Sequence, residues 1–361
     1  HTLKLTGNCQ IINEGVLRIT QQGELINKTE NNVGGIVEVV SPIKDMNKWT
    51  FIGAPFKTGY KLECIKPDVS GDISVSKYDY SLGNWSENWE TIESSMETGE
   101  GYFAWPFYGG PVIYTTYGDF LTSQYDFNKE PATELNNLND TTITKPVKNT
   151  SGGYWMALSN PYPAKKKKKK FIQDNQANIQ GGVVYTFDGT TWDDLDQGDI
   201  SHTDGFFVNL KSSSPKSITF NKEQLTNYNQ SKKAKKTTEY IELSLQTGRK
   251  KSKIRFNHNP QAEQTYDAFD ANKMFSPVKM TEPYFVTDGV ALSKEEVREL
   301  PYTATLNIRS FMDREVKFVA DNIPEGYVVF LLDNGQDIRM TNGTEYTTNV
   351  TEGENADRFQ L

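Results

Sequence analysis

The sequence predicts an all-β protein: tandem β-sandwich, jelly-roll-like domains that follow a short β-solenoid-like N-terminal stretch. Aromatic residues make up 12% of the 361 residues, and they favour the half-buried surface of a sheet. Short apolar runs alternate with Gly, Asn and Asp turn signals along the chain, which is typical of sandwiches. A block of such runs occurs twice. These three observations predict sheets packed on sheets.

Residues 1–40 are predicted to form the solenoid-like start. Gly15 and Gly23 lie eight residues apart, and each begins or precedes an apolar run. A short period is typical of solenoid coils, which need neighbours to bury their apolar faces. A simple β-hairpin explains the same pattern equally well. Because the chain begins at His1, we expect a processed product or a fragment.

Residues 41–230 are predicted to be a duplicated β-sandwich unit, with copies at about 45–120 and 151–222. Three blocks recur in the same order at offsets between 104 and 107 residues. They pair Trp49–Phe56 with Trp155–Tyr162, Tyr78–Trp85 with Tyr185–Trp192, and Gly101–Phe103 with Gly205–Phe207. Each copy has the pattern of a β-meander.

A polar stretch ends this unit, and a boundary near residue 235 is predicted from its Ser and Lys content. Residues 237–361 are predicted to form a C-terminal β-sandwich, since alternating runs are separated by turns such as Asp333-Asn334-Gly335. One short helix is expected at Ser293–Arg298, where Ser293 and Glu296 fit a capping box.

The repeated aromatic residues are expected to build the sandwich core. An alternative is a platform on which sugars stack. The ligand-binding candidates under that alternative are Trp85, Trp89, Trp105 and Trp192.

The charge balance argues against a nucleic-acid partner. The net charge is −8 and the pI about 5.2, whereas binding to phosphates needs a basic face. No apolar run approaches the roughly 20 residues of a membrane-spanning helix. Cys9 and Cys64 are the two cysteines, and one disulfide between them would be compatible with an oxidising compartment.

No catalytic constellation is evident, so we predict no enzyme activity, catalytic residue or cofactor. The three histidines lack metal-ligand spacing, although a carboxylate pair for glycoside hydrolysis is not excluded. Asp194, Asp196 and Asp199 form a weak calcium candidate in an oxygen-rich loop. A solvated acidic loop is the simpler interpretation.

Six consecutive lysines, Lys165–Lys170, stand out in this acidic chain. They would attract an anionic polysaccharide, a lipid or a nucleic acid. Because like charges repel and stay hydrated, an exposed loop is the simpler expectation.

Several motifs together resemble the large surface proteins that Bacteroidetes bacteria export through the type IX secretion system. In the repeat they are Trp49–Phe56, Ser159–Pro163 (Ser-Asn-Pro-Tyr-Pro), Tyr185–Trp192 and Asp204–Val208; the C-terminal third adds Tyr266–Asp270, Tyr284–Gly289, Ile323–Tyr327 and Asp357–Leu361. The hexalysine departs from the family pattern after the Asn-Pro-Tyr-Pro turn. The C-terminal third is similar to the sandwich found upstream of the sorting domain in such cargo.

The resemblance implies a secreted protein on the bacterial outer surface, with the secretion and attachment machinery and other surface proteins or glycans as partners. Together with the absence of a catalytic motif, it predicts a non-catalytic structural or adhesive module with a role in cell adhesion. The alternative is a carbohydrate-binding module appended to a secreted enzyme.

Overall fold

The computed structural model describes residues 2–6, 9–11, 15–29, 33–41, 48–57, 60–67, 73–80, 84–87, 95–106, 112–115, 141–145, 153–194, 198–212, 214–226 and 240–361. Its contacts group into two units. The N-terminal unit comprises residues 1–149, 154–178 and 195–231, and the C-terminal unit comprises residues 150–153, 179–194 and 232–361. The predicted all-β class is confirmed: the described residues contain 31 strands and a single α-helix. The boundary predicted near residue 235 falls outside the described residues.

The N-terminal unit contains nineteen of these elements and two short 3-10 turns, at Leu62–Cys64 and Lys222–Gln224. They are β1 (Thr2–Leu5), β2 (Val16–Ile19), β3 (Glu24–Asn27), β4 (Ile36–Val40), β5 (Thr50–Ile52), β6 (Tyr60–Lys61), β7 (Ile65–Pro67), β8 (Ile73–Asp79), β9 (Asn84–Glu87), β10 (Ser95–Met96), β11 (Tyr102–Pro106), β12 (Val112–Thr115), β13 (Thr141–Lys145), β14 (Tyr154–Ser159), β15 (Lys166–Lys167), α1 (Lys168–Asn175), β18 (Asp199–Ile200), β19 (Gly205–Leu210) and β20 (Lys216–Phe220).

The first four strands form stacked coils. β1 pairs in parallel with β3, so that Thr2 lies opposite Glu24, and β2 pairs in parallel with β4, so that Val16 lies opposite Ile36. A hairpin would pair neighbouring strands in antiparallel orientation. The parallel pairing rules out the hairpin and fits solenoid-like coils with two strands each. The coil period is 22 residues for β1 and β3 and 20 for β2 and β4, not the eight residues between Gly15 and Gly23. At the other side of β4, antiparallel β12 continues the sheet.

The two repeat copies contain equivalent strand pairs. In the first copy β5 pairs with β11, with Ile52 opposite Tyr102. In the second copy β14 pairs with β19, with Leu158 opposite Phe206. Both pairs are antiparallel, and the sequence offsets of 106 and 104 residues map one register onto the other. The aligned blocks thus adopt the same local structure.

The copies also contact each other with two-fold symmetry. Ile52 forms a bridge with Asp204, and the equivalent Leu158 forms a bridge with Glu100. Likewise the Gly53 N–H donates to Thr203 O at 3.1 Å, and the Ser159 N–H donates to Gly99 O at 2.7 Å. Gly53 and Ser159 occupy equivalent positions and face each other across this pseudo-two-fold axis.

Close packing at the axis depends on glycine. A Cβ atom built on Gly53 would overlap the Cβ and Oγ atoms of Ser159. A Cβ on Gly101 would overlap Leu158 O, and a Cβ on the equivalent Gly205 would come within 2.9 Å of Ile52 O. Real Cβ atoms do not approach other heavy atoms so closely. The small residues of the Gly-aromatic-aromatic blocks therefore let the two copies interlock.

The middle block of the repeat is not structurally equivalent in the two copies. In the first copy β8 pairs with both β9 and β11. In the second copy Tyr185–Trp192 lies in the C-terminal unit. There β16 (Thr186–Phe187) and β17 (Trp192–Asp193) pair with each other. The middle blocks of the two copies are therefore similar in sequence but differ in the strands with which they pair.

The six lysines do not form an exposed loop, which corrects the simpler expectation. Lys165 precedes β15, which contains Lys166 and Lys167, and the remaining three begin α1. Lys166 is fully buried: its Nζ donates to Gln224 Oε1 at 2.7 Å and lies 4.7 Å from the ring centroid of Tyr162. Lys168 is also buried, whereas Lys169 is exposed. Pairing of β15 with β18 directs Lys166 and Lys167 to opposite faces, whereas the burial of Lys168 and the exposure of Lys169 follow from their positions on α1.

The C-terminal unit is built on an eleven-stranded sheet with the order β29-β28-β31-β26-β24-β25-β22-β21-β27-β30, while β23 pairs with β25. The strands are β21 (Ile241–Thr247), β22 (Lys250–His258), β23 (Ala271–Asn272), β24 (Glu282–Thr287), β25 (Val290–Val297), β26 (Thr305–Ser310), β27 (Arg314–Asn322), β28 (Val329–Asp333), β29 (Gln336–Met340), β30 (Glu345–Val350) and β31 (Gly353–Gln360).

The two ends of this sheet approach each other through side chains. Asp333 on β28 accepts hydrogen bonds from Tyr346 Oη and Thr348 Oγ1 on β30, at 2.9 and 3.0 Å. It also binds Arg358 on β31. The sheet is therefore nearly closed, and it encloses an apolar core that includes Leu245, Phe285 and Phe318.

The helix predicted at Ser293–Arg298 is wrong, because these residues lie mainly in β25. This strand pairs with β24 on one side and with β22 in parallel on the other. Its Lys294 and Glu296 side chains form a buried ion pair at 2.7 Å. Helix propensity is a weak preference that tertiary pairing overrides, and here two neighbouring strands satisfy the backbone.

Candidate functional site

An aromatic surface lies at one end of the four-stranded sheet β5-β11-β8-β9. Phe51 lies opposite Phe103, and alternation along each strand places Trp49 and Trp105 on the same side. The rings are in contact: Trp49 and Trp105 have centroids 5.2 Å apart at 70°, and Phe51 and Phe103 have centroids 5.1 Å apart. We call Trp49, Phe51, Phe103 and Trp105 the aromatic face.

The second repeat copy covers one end of the aromatic face. Phe207 stacks on Phe51 with a centroid distance of 5.0 Å and meets Tyr78 edge-on at 5.4 Å. Phe51 and Phe103 are accordingly buried. Trp49 and Trp105, at the other end, are each partly exposed. The face therefore changes from a packed core to a solvent-accessible indole pair.

Partly exposed indoles beside a hydroxyl group can bind an amphipathic ligand. Ser74 on β8 lies opposite Trp105 in the register and is partly exposed. Indole faces pack against the apolar faces of sugars or other side chains, while a hydroxyl group donates and accepts hydrogen bonds.

The tyrosines next to the aromatic face remain neutral phenols. Burial raises the pKa of Tyr78 to about 12. Burial, with Glu100 nearby, also raises the pKa of Tyr80 and of Tyr102. Neutral Tyr80 can donate to Ala157 O and accept from Ala157 N–H, both at 3.1 Å. Through the Tyr80 hydrogen bonds, the sheet of the first copy is attached to the backbone of the second copy.

The structure places the four predicted ligand-binding tryptophans differently. Trp105 belongs to the aromatic face, and Trp192 lies in the C-terminal unit, partly exposed and 4.8 Å from Phe187. Trp85 lies opposite Tyr78 on β9, but its side chain is outside the described part of the structure. Trp89 also lies outside it.

Trp49 is not among the tryptophans that the sequence predicts to bind a ligand. Trp49 begins the first repeat block, and this position indicated core packing. Its equivalent, Trp155, is indeed buried. The signal that could have found Trp49 is the pairing of β5 with β11, which brings Trp49, just before β5, and Trp105, near the end of β11, to the same end of the sheet.

The residues of the weak calcium candidate have other contacts. Asp194 is buried, which opposes its ionisation, but the Arg255 guanidinium 2.6 Å away keeps the pKa of this carboxyl below its usual value. Asp199 accepts a hydrogen bond from Thr226 at 3.0 Å. Asp196 lies outside the described residues. Within the described ranges no three His, Cys, Asp or Glu side chains are grouped so that they could hold a metal ion.

Arg255 and its partners form an internal ion cluster in the C-terminal unit. Besides Asp194, Arg255 binds Glu242 at 2.9 Å, and all three side chains are shielded from solvent. Buried charges are stable only when they are paired and hydrogen-bonded. The cluster links the segment 179–194 to the large sheet within this unit.

Two further carboxyl groups in this unit have perturbed acidity. Burial raises the pKa of Glu295 to about 7 and that of Asp270 to about 6. Glu295 accepts hydrogen bonds from Thr287 Oγ1 and Tyr302 Oη. Asp270 accepts from the backbone N–H groups of Asp267 and Glu296. These contacts tie strands and loops together within the unit.

Cys9 is exposed and Cys64 is buried, and no disulfide joins them. Among the described helices, none is both long and apolar enough to span a membrane.

A family model described as a domain of unknown function, DUF8693, matches residues 1–193. The chain belongs to the DUF8693 family. The DUF8693 region contains the stacked coils, the first repeat copy and the aromatic face. No curated protein and no solved structure matches the chain.

Proposed function

We propose that this DUF8693 protein is a non-catalytic structural and adhesive module of an exported bacterial cell-surface protein. The observation that carries the proposal is the partly exposed Trp49–Trp105 pair at the end of an interlocked aromatic core. Rigid aromatic side chains supply contact area at a low entropic cost, and they are enriched at protein contact sites. The resemblance to type IX secretion cargo supports the export and surface location.

The packing around the pair supports a structural role. The two repeat copies hold each other through symmetric backbone hydrogen bonds at 3.1 and 2.7 Å. Stacking of Phe207 on Phe51 extends the second copy directly to the aromatic face. A surface residue attached to such a core moves little, which favours its use as a contact site.

The pairing of buried charged side chains with one another supports the non-catalytic part of the proposal. Asp194, Glu242 and Arg255 neutralise one another in the C-terminal unit. Such a cluster perturbs pKa values for structural reasons.

Retention of beads on cells under flow tests the adhesive function. Beads coated with the full chain are passed over a bacterial surface layer, and the retained fraction is compared for the parent and the W49A/W105A variant. Loss of both indoles should lower retention at least tenfold, because contact tryptophans each contribute about 1–2 kcal/mol. The control is F330A, which removes an aromatic side chain that is 41% exposed in the C-terminal unit.

Circular dichroism and a thermal scan establish that both variants fold. Equal retention of W49A/W105A and the parent would exclude the aromatic face as the adhesive contact. Loss of retention in F330A alone would move the contact to the C-terminal unit.

The second candidate is a carbohydrate-binding module appended to a secreted enzyme. Ser74 opposite Trp105 favours it, since sugar sites combine an aromatic platform with hydroxyl partners. A glycan array separates the candidates: binding to soluble glycans that is lost in W49A/W105A supports the carbohydrate-binding module. Retention on cells that excess glycan does not inhibit supports protein-mediated adhesion.

A further inference from the structure

The stacked coils at the start of the chain have one covered side and one open side. β3 and β4 are buried at every residue. β1 and β2 are the edge strands of their sheets, and in each of them only the last residue is buried. The first coil is thus built like the second but lacks a covering layer among the described strands.

Apolar side chains occupy the open side. Leu3 is 48% exposed and Val16 is 38% exposed, and both are among the few large apolar side chains of the described residues that are this accessible. On the covered side Leu3 lies opposite Leu25, and Val16 lies opposite Ile36. Parallel coils stack by placing like apolar residues in columns. A further coil could therefore add one apolar residue to the column of Leu3 and one to the column of Val16.

A pair of charged residues in register, Arg18 on β2 and Glu38 on β4, also favours a particular neighbour on the open side. Arg18 lies opposite Glu38, and the Arg18 Nε atom is 2.6 Å from the Glu38 carboxylate. Glu38 is buried, whereas the Arg18 side chain is 52% exposed. Opposite charges in register stabilise neighbouring strands and like charges destabilise them. An acidic residue is therefore the complementary neighbour at the next level of this column.

Beyond β4 the sheet continues with antiparallel β12 and then with β7, and on β3 the Leu25 N–H donates to Pro163 O at 2.9 Å. A further parallel coil can therefore be added only beside β1 and β2. An edge strand with exposed apolar residues is a template for strand addition.

We infer that the open side of β1 and β2 is a docking surface for a further β-solenoid coil. The occupant is a polypeptide coil of about 20 residues whose two strands add in parallel to β1 and β2. It carries apolar residues over Leu3 and Val16 and an acidic residue over Arg18. This surface is separate from the aromatic face and independent of the proposed adhesive function.

A chain with an added coil tests the inference. A copy of residues 1–21 is placed ahead of His1, with R18E in the copy, and backbone amide exchange is followed by mass spectrometry and NMR. Exchange at Lys4 and Val16 of the original segment, whose N–H groups point away from β3 and β4, should slow at least tenfold relative to the unextended chain. Covering an edge strand protects its amides in this way.

The matched control carries the same extension with L3D and V16D in the copy. This coil cannot continue the apolar columns, so exchange at the Lys4 and Val16 amides should equal that of the unextended chain. No slowing in the first extension would overturn the inference, and equal slowing in both extensions would do the same. Exchange at Val37 and Val39 serves as the internal check that the underlying coil stays folded.

A second copy of the chain is the competing occupant. Sedimentation of the unextended chain distinguishes the two occupants. If the chain is a dimer and the L3D/V16D variant is a monomer, the open side is a self-association surface, and the inference is overturned. A monomer whose mass L3D/V16D leaves unchanged agrees with it.

Discussion

Substitution of Gly53 by alanine should strongly destabilise the N-terminal unit. The added Cβ atom would overlap the Cβ and Oγ atoms of Ser159, its partner across the pseudo-two-fold axis. Carbon atoms pack at about 3.5–4.0 Å, so the two strands must separate. Separation weakens the hydrogen bonds of Gly53 N–H and Ser159 N–H. Ile52 and Leu158, both fully buried, would move with them.

The expected cost follows from these two effects. Overpacking of a core costs about 1–3 kcal/mol, and two weakened buried hydrogen bonds add about 1 kcal/mol each. We therefore expect the free energy of unfolding of G53A to fall by about 3–5 kcal/mol. For a unit of about 200 residues this lowers Tm by roughly 10 °C.

The structure also supplies a rescue. In the G53A/S159G variant the nearest remaining atom to the new Cβ is the Cα of residue 159, at 3.4 Å, which is ordinary contact. S159G alone should cost about 1 kcal/mol, because glycine weakens a strand. The double variant should match S159G within about 0.5 kcal/mol, which gives a coupling energy of about 3 kcal/mol or more.

Urea unfolding followed by tryptophan fluorescence measures these differences, since buried Trp155 reports on the second repeat copy. The control is G34A: a Cβ on Gly34 meets only Ile11 O, at 3.7 Å, so its stability should stay within about 0.5 kcal/mol of the parent. A G53A protein as stable as the parent would refute the interlock. A double variant as unstable as G53A would refute the pairing of Gly53 with Ser159.

Two further predictions concern buried ionisable groups. The pKa of Glu295 is raised to about 7 in the folded state, so the folded state binds more protons than the unfolded state between pH 4.5 and 7. Stability should therefore fall by about 3 kcal/mol over this range, and E295Q should remove most of that fall in urea titrations at pH 5 and pH 8. Lys166→Glu would place a buried anion beside Gln224 Oε1 and the ring of Tyr162, which should cost about 3 kcal/mol or more. Lys169→Glu, at an exposed position, should change thermal stability by less than about 0.5 kcal/mol.

Each of these predictions has an outcome that contradicts it. Asp270 titrates in the same direction as Glu295, so some pH dependence should persist in E295Q. A slope as steep as that of the parent would exclude Glu295 as its main source. Equal stability of Lys166→Glu and Lys169→Glu would mean that the lysine run is solvated along its whole length.

Local sequence patterns predict some parts of this fold better than others. Strand and turn patterns predicted the all-β class, because alternation and turn chemistry are local properties. The glycine spacing at Gly15 and Gly23 indicated a solenoid but left a hairpin open. Parallel pairing of β1 with β3 decided between them. The run Ser293–Arg298 was wrongly predicted as a helix, since the two strands that pair with β25 are distant in sequence.

The candidate site was predicted only in part. Trp105 was selected because it is a tryptophan near polar loops, whereas Trp49 became visible only through the pairing of β5 with β11. Asp194 is a calcium candidate in the sequence because other aspartates lie close to it in the same loop. Its partner Arg255 is 61 residues away, and no local pattern points to that contact.

The sequence by itself determined the strand content and the duplicated blocks, which depend on residue type and spacing along the chain. Only the tertiary structure decided which strands pair, that Gly53 faces Ser159, and that Lys166 is buried while Lys169 is exposed. The physical reason is that these features arise from contacts between segments far apart in sequence. Packing and strand pairing select among arrangements that local preferences leave equal in energy.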